Sequence, residues 1–183
     1  MPAFVVALLL GTGDRTSWLA AILAERSGRP ARVLYAAALA FALGNAAAAQ
    51  AGLWLPRLTP NAGNLMLALA LGFGGVGAVW GSKRPDALAG WRIGTFATAL
   101  FGLFVLGFGE GMQFVTFALA ARADTPAFAA IGATLGTLAA VAPAVLLGET
   151  AWRKLPIRPL RIGAGCLLLL IAAVLAARAL RLG

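Results

Sequence analysis

The stretch Gly11-Thr12-Gly13-Asp14-Arg15-Thr16-Ser17 is polar and charged, yet it is flanked on both sides by apolar runs. Those runs are Val5-Val6-Ala7-Leu8-Leu9-Leu10 and Trp18-Leu19-Ala20-Ala21-Ile22-Leu23. A charged side chain inside a membrane helix costs about 2.5–3.5 kcal/mol on insertion scales, so such a group usually has a function. A similar stretch, Gly107-Phe108-Gly109-Glu110-Gly111-Met112-Gln113, begins 96 residues later. We therefore expect the chain to be organised around these two polar segments.

The composition is that of an integral membrane protein. Of the 183 residues, 61% are hydrophobic and 11% are charged, and the mean hydropathy is +0.90. Soluble domains are about half apolar and about one quarter charged. The chain contains no histidine and a single cysteine, Cys166. The absence of histidine excludes zinc sites that use it, and it excludes Ser-His and Cys-His nucleophile pairs. We therefore expect neither enzymatic activity nor a cofactor.

Apolar runs separated by Pro, Gly and charged clusters predict an all-α fold with six membrane-spanning helices. The predicted spans are residues 3–24, 32–55, 63–80, 91–122, 126–147 and 160–180. The fourth span exceeds the roughly 20 residues that cross a bilayer, so it must tilt, kink or protrude. Its glycines at 107, 109 and 111 mark the expected irregularity. In the second span, Asn45 is expected to make an interhelical hydrogen bond rather than to bind a ligand.

The basic residues predict the orientation of the spans and account for the net charge of +9. Ten Lys and Arg residues follow the first, third and fifth spans: Arg26, Arg29, Arg32, Lys83, Arg84, Arg92, Arg153, Lys154, Arg158 and Arg161. The opposite side carries four: Arg57, Arg122, Arg178 and Arg181. By the positive-inside rule the first set is cytoplasmic, so both termini face away from the cytoplasm. The expected electrostatic partner is the anionic lipid headgroup rather than nucleic acid.

An internal repeat appears when the sequence is compared with itself at an offset of 96 residues. Glycine, proline, arginine and acidic residues coincide, the pairs being Gly11 with Gly107, Gly13 with Gly109, Asp14 with Glu110, Arg26 with Arg122, and Pro30 with Pro126. The repeats cover residues 1–81 and 91–183, and residues 82–90 form a central cytoplasmic loop. Because each repeat holds three spans, the two repeats must have opposite orientations. This is the inverted repeat of secondary transporters, whose sites lie near the membrane midplane.

The two polar stretches together supply an all-oxygen set of candidate ligands. Positions three residues apart stay near one helix face, which groups Gly11, Asp14 and Ser17 in one repeat, and Gly107, Glu110 and Gln113 in the other. Arg15 and Thr16 lie off that face. Oxygen ligands suit hard divalent cations such as Ca²⁺ or Mn²⁺. Two close carboxylates also bind protons, so metal entry would compete with protonation and would permit cation/proton exchange.

These residues resemble the motif of the uncharacterised protein family 0016. Its members are six-helix calcium/manganese transporters of bacterial, chloroplast and Golgi membranes. Each half of that family carries Glu-x-Gly-Asp-(Lys/Arg)-(Thr/Ser), and Gly13-Asp14-Arg15-Thr16 is similar to its core. The family glutamate is replaced by Gly11 and Gly107, the second aspartate by Glu110, and the second Lys-Thr pair by Gly111-Met112. The resemblance implies a cation:proton exchanger in which Asp14 and Glu110 bind the metal.

The sequence thus predicts a secondary transporter for Mn²⁺ or Ca²⁺ coupled to protons, with a degenerate two-carboxylate site. Ser17 and Gln113 are further candidate ligands, and Gly11, Gly13, Arg15, Thr16, Gly107 and Gly109 support them. Two alternatives stay open: a transporter of another small substrate on a lysine-exporter-like fold, and a membrane scaffold that has lost its site. A wide cavity lined by Phe or Trp would favour the first alternative, and a closed interior the second. A homo-oligomeric assembly is also left open.

Overall fold

The computed structural model describes residues 2–55, 59–81, 85–86, 88, 90–91, 93–108 and 111–180. These residues form eight helices: α1 (Pro2–Gly11), α2 (Arg15–Ser27), α3 (Pro30–Leu53), α4 (Pro60–Trp80), α5 (Thr95–Gly107), α6 (Gly111–Ala120), α7 (Pro126–Trp152) and α8 (Ile157–Ala179). The described part of the chain is therefore all-helical, as predicted. Four helices, namely α3, α4, α7 and α8, are each long and apolar enough to cross a membrane, and six spans result if each of two bent helix pairs counts as one.

The two bent pairs replace the first and fourth predicted spans. The axes of α1 and α2 meet at 65°, and those of α5 and α6 meet at 69°. The irregularity predicted near Gly107 is confirmed, because α5 ends there. The first span, expected to be continuous over residues 3–24, is instead broken between Gly11 and Arg15. The cause is the same polar stretch, whose glycines and aspartate favour turns and helix caps over helix interiors.

Local sequence signals explain where the helices begin and end. Gly28 ends α2 with a left-handed φ of 60°, and its N–H donates to the carbonyls of Ala24 and Glu25. Proline occupies the first position of α3, α4 and α7, where its missing N–H is not needed. Within α7, Gly148 has a φ of 72° and interrupts the helical backbone, close to the end predicted at residue 147.

The helix order recurs along the chain at the spacing of the sequence repeat. Residue numbers differ by 96 between the ends of α1 and α5, between the starts of α2 and α6, and between the starts of α3 and α7. The bent pair α1–α2 therefore corresponds to α5–α6, α3 to α7, and α4 to α8. Both breaks occupy equivalent positions in the two halves.

Two apolar clusters hold the helices together, and each bent pair passes from one cluster to the other. The first contains Leu19 of α2 and Leu103 of α5, packed with residues of α3 and α7. The second contains Ala7 of α1 and Val115 of α6, packed with residues of α4, α7 and α8. Each break therefore lies between the two clusters, where the chain leaves one packed region and enters the next.

Small residues allow close approach of backbones at two helix pairs, as is common in membrane proteins. A Cβ placed on Gly75 of α4 would lie 3.0 Å from the carbonyl oxygen of Gly165 of α8, and the reciprocal distance is 2.9 Å. A Cβ on Gly136 of α7 would collide with the carbonyl oxygen of Phe4 of α1. Large apolar side chains remain on the outside, among them Trp54 at 87% and Trp80 at 86% exposed, in keeping with a lipid-facing surface at helix ends.

Candidate functional site at the first helix break

The first break places a carboxylate at the start of a helix. Gly13 has a φ of 78°, a backbone conformation that side chains disfavour, and Asp14 follows in an extended conformation. The Asp14 carboxylate accepts a 2.7 Å hydrogen bond from the backbone N–H of Arg15 and thereby caps α2. The positive end of the α2 dipole favours a negative group at this position. The polar stretch consequently fixes Asp14 at the break, half-buried, instead of on the side of a continuous helix.

Ser17 closes the break from inside. It is fully buried, and its Oγ donates a 2.7 Å hydrogen bond to the carbonyl of Gly11. This carbonyl lies at the end of α1, where helical partners are lacking. Thr12 similarly donates to the carbonyl of Leu8 at 2.7 Å. Ser17 was predicted as an ion ligand, and the structure places it as a hydrogen-bonded tie across the break.

The second break is described only in part. Gly109 and Glu110, predicted as a supporting residue and a metal ligand, lie outside the described residues. Gln113 of α6 is directed toward α3, since a Cβ on Gly44 would lie 2.7 Å from its Nε2. The same Nε2 is 3.9 Å from a Cβ placed on Gly107. Gln113 therefore lies beside Gly107, as Ser17 lies beside Gly11 in the first half.

The two glycines at corresponding positions of the repeat, Gly11 and Gly107, differ in the space around them. A Cβ on Gly11 would lie 2.8 Å from the Cβ of Ala140 in α7, closer than such atoms approach in proteins. Among the described residues, the nearest atom to a Cβ on Gly107 is the Gln113 Nε2 at 3.9 Å. The volume of a side chain at residue 11 is thus filled by α7, whereas no described residue fills it at residue 107.

A cavity of about 610 Å³ lies beside the first break. Its polar wall is formed by Asp14, Arg15, Thr16, Thr137 and Arg161. Its apolar wall comes largely from α4 and α6 and includes Met66, Leu69, Phe73, Met112, Phe114 and Phe117. Gly11 also lines it, whereas Ser17 and Gln113 do not. The cavity thus joins one described carboxylate, at the break between α1 and α2, to residues of five other helices.

Thr16 is a cavity residue with an unused hydrogen-bonding group. Its side chain is 1% exposed, and its Oγ1 has no hydrogen-bond partner among the described residues. Leaving a buried hydroxyl unpaired costs about 1–3 kcal/mol, so the Thr16 oxygen is a candidate ligand for a cation that reaches this wall. Thr137 has a second hydroxyl in the wall, which donates to the carbonyl of Ala133 at 2.8 Å and keeps its lone pairs available.

The cavity corrects one expectation and adds two residues. Arg15 and Thr16 were expected to lie off the face that carries Asp14, yet both line the same cavity. The grouping of residues three apart on one face assumed a continuous helix. The break between Gly11 and Arg15 makes that grouping wrong. Thr137 and Arg161 were not predicted as site residues. Arg161 was grouped with the loop charges, although its position just inside an apolar span was a usable signal.

Within the described residues, no three His, Cys, Asp or Glu side chains come close enough to hold a metal ion. A cation bound at Asp14 would therefore depend on hydroxyls, on carbonyls at the break, and on acids beyond these residues. Such ligands are hard oxygens, which suit Ca²⁺, Mn²⁺ and Mg²⁺ rather than Cu⁺ or Zn²⁺.

The predicted interhelical hydrogen bond of Asn45 is confirmed. Asn45 of α3 is 4% exposed and donates from Nδ2 to the Oγ1 of Thr134 in α7 at 3.3 Å. The Oγ1 of Thr116 in α6 lies 3.1 Å from both the Asn45 Oδ1 and the Met112 carbonyl. This group ties three helices together and lies apart from the cavity wall.

Comparisons with known proteins agree with the resemblance seen in the sequence. The family described as "Divalent cation/proton antiporter GDT1" matches residues 1–86 and 95–182. A protein of Vibrio cholerae serotype O1, described as a "Putative manganese exporter", is 32% identical over 168 residues, which cover 88% of this chain and 82% of that protein. No solved structure matches the chain. The predicted membership of a cation/proton exchanger family is confirmed, and the chain belongs to the divalent cation/proton antiporter family GDT1.

Proposed function

We propose that this protein exchanges a divalent cation, Mn²⁺ or Ca²⁺, for protons across a bacterial inner membrane. Membership of a family of divalent cation transporters supports the substrate class. The observation that carries the proposal is the Asp14 carboxylate, which is held at a helix break and lines a cavity beside Thr16, whose hydroxyl has no hydrogen-bond partner in the described part of the chain. Broken helices of this kind form the ion sites of many secondary transporters.

We further propose that the two halves are inverted three-helix repeats with six spans. The matched helix bounds support this arrangement, and so does the packing between halves. In the first half α1 packs on α7, and in the second half α5 packs on α3, which is the equivalent pair. Likewise α2 packs on α7 and α6 on α3. Two halves of three spans give six spans, so both termini lie on the same side of the membrane. The excess of Lys and Arg after the first, third and fifth spans supports the non-cytoplasmic side for both.

In this proposal Asp14 and Glu110 are the residues that bind the cation and, in its absence, protons. A bare divalent cation binds oxygen ligands at about 2.3–2.6 Å for Ca²⁺, so two carboxylates can share it only if they are close. The equivalent positions of the two acids in the repeat support such an approach. Thr16 and Thr137 would add neutral oxygens from the cavity wall.

The size and lining of the cavity favour a second candidate, a transporter of a larger substrate. A volume of about 610 Å³ with Phe73, Phe114 and Phe117 in its wall exceeds what a bare ion fills. A vestibule that admits a hydrated cation would account for the same volume. The scaffold alternative has less support, because it predicted a closed interior.

Transport by purified protein in liposomes tests the proposal. We expect an imposed proton gradient to drive Mn²⁺ or Ca²⁺ flux, and both Asp14→Asn and Glu110→Gln to reduce that flux at least about ten-fold, since each removes a charged ligand. Asp124→Asn is the matched control, because Asp124 is an exposed acid in the turn after α6. A cation flux that is unchanged in both Asp14→Asn and Glu110→Gln would refute the proposed site. Flux of radiolabelled lysine, with none of Mn²⁺ or Ca²⁺, would favour the second candidate.

A further inference from the structure

Arg161 is a basic residue inside the cavity, one turn into α8. It lines the same cavity as Asp14. Its aliphatic stem lies along the first break, where its Cδ is 3.8 Å from a Cβ placed on Gly13, the residue before Asp14. The end of its side chain lies against Gly81, at the C-terminal cap of α4. The side chain of Arg161 thus connects the first break to the C-terminal end of α4.

The charge of Arg161 is only partly compensated. Its Nε is buried and has no hydrogen-bond partner among the described residues. The negative end of the α4 dipole favours a cation near Gly81 but does not satisfy this donor. Burying an arginine nitrogen without an acceptor is unfavourable, so a negative charge in the same cavity is stabilised by Arg161 even though no hydrogen bond or ion pair joins it to Asp14 in the structure. Asp14 is the carboxylate that the described cavity wall offers.

The cavity wall therefore carries an excess of positive charge in its described part. Two guanidinium groups, those of Arg15 and Arg161, accompany the single carboxylate of Asp14. The side chain of Arg15 is exposed, whereas Arg161 has a nitrogen shielded from solvent. A shielded charge acts on its neighbours more strongly than an exposed one because solvent screens it less.

Arg161 also departs from the repeat. The residue that precedes it by 96 positions is Leu65, in α4. Arg161 is thus supplied to the first break without an equivalent arginine in the other half. Because only one half has an arginine at this position, the packing that the two halves share does not require it.

We propose that Arg161 is a positioning residue that acts as a tethered counter-charge for Asp14; this inference rests on the proposed function. Between release of the cation and uptake of a proton, the guanidinium offsets the negative charge of the Asp14 carboxylate. With a divalent cation bound, it repels the cation, lowers the affinity of the site and promotes release. Arg161 thereby sets how tightly the transporter holds its substrate.

Binding of Mn²⁺ to the purified full-length protein tests this role. We expect Arg161→Met, and the second neutral variant Arg161→Gln, to lower the Kd for Mn²⁺ about ten-fold, because a unit charge that repels a divalent cation is removed. Arg161→Lys keeps the charge and should stay close to the wild-type Kd. Arg178→Met, an exposed position on the same helix, is the matched control and should not change the Kd. In proteoliposomes the neutral variants should also release Mn²⁺ more slowly.

The variant that keeps the charge separates an electrostatic role from a structural one. If Arg161 acts through its charge, both neutral variants should lower the Kd for Mn²⁺ and Arg161→Lys should not. An unchanged or raised Kd in both neutral variants would overturn the inference, and so would an equally lowered Kd in Arg161→Lys. If Mn²⁺ binding requires Asp14 but has the same Kd when Arg161 is replaced, this inference fails and the proposed function stands. If the wild type binds neither Mn²⁺ nor Ca²⁺, the proposed function fails and the inference fails with it.

Discussion

Ser17 donates a 2.7 Å hydrogen bond to the carbonyl of Gly11 and so bridges the break between α1 and α2. The bond lets the chain bend by 65° without leaving the final carbonyl of α1 unpaired in an apolar setting. At the equivalent position of the second half, the Gln113 amide lies beside Gly107. Two different side chains thus occupy corresponding places at the two breaks.

Replacing Ser17 with alanine should destabilise the first break. The substitution leaves the Gly11 carbonyl buried without its donor, which costs about 1–3 kcal/mol. We expect a lower midpoint of thermal unfolding in detergent and slower Mn²⁺ flux, because Asp14 loses its fixed position. Ser27→Ala is the control on the same helix, since its 3.3 Å bond to Ala24 is long and only partly buried. Equal midpoints for the two variants would contradict the bracing role of Ser17.

Replacing Thr16 with valine should affect binding without lowering stability. The Thr16 hydroxyl is buried and unpaired, so its removal breaks no hydrogen bond within the described protein. We expect an unchanged or higher unfolding midpoint and a several-fold weaker Mn²⁺ affinity, measured by calorimetry, because one neutral oxygen ligand is lost. Unchanged affinity would remove Thr16 from the site.

Replacing Thr116 with valine should lower stability without affecting Mn²⁺ binding, the reverse of Thr16→Val. This residue is fully buried and bonded to Asn45, so the variant leaves the Asn45 Oδ1 without that donor. We expect a stability loss of about 1–3 kcal/mol and little change in the Kd for Mn²⁺, because the group lies outside the cavity wall. Together with Thr16→Val it forms a matched pair of threonine substitutions. A changed Kd at unchanged stability would place the Asn45 group in the site.

Restoring glutamate at the two glycine positions should give unequal results. At residue 11, the new Cβ would meet Ala140 at 2.8 Å, so Gly11→Glu should disturb the packing of α1 on α7 and lower the unfolding midpoint. At residue 107, the nearest described atom is 3.9 Å away, so we expect Gly107→Glu to fold normally. The added carboxylate should then tighten Mn²⁺ binding.

Two controls make that comparison interpretable. Gly72→Ala adds a Cβ where no described atom lies within 4 Å and should leave stability unchanged or slightly improved. Gly107→Gln adds the bulk of glutamate without its charge and should not tighten Mn²⁺ binding. Equal stability of Gly11→Glu and Gly107→Glu would contradict the packing described around Gly11.

The sequence by itself determined the class of the protein and the place of its site along the chain. Apolar runs specify membrane helices wherever backbone groups must be satisfied without water, so the number of candidate spans follows from composition. Polar residues within such a run are costly, and the stretch around Asp14 therefore indicates a function through its residue types alone. The repeat of 96 residues likewise anticipated the equivalent break near Gly107.

Only the tertiary structure decided which side chains share the cavity. Periodicity along one helix cannot follow the chain through a 65° bend, so it separated Thr16 from Asp14 and grouped Ser17 with it. Residues from distant helices, such as Thr137 and Arg161, reach the cavity through packing between α1, α7 and α8. Such contacts depend on how helices from both halves meet, and no local pattern in the sequence records that arrangement.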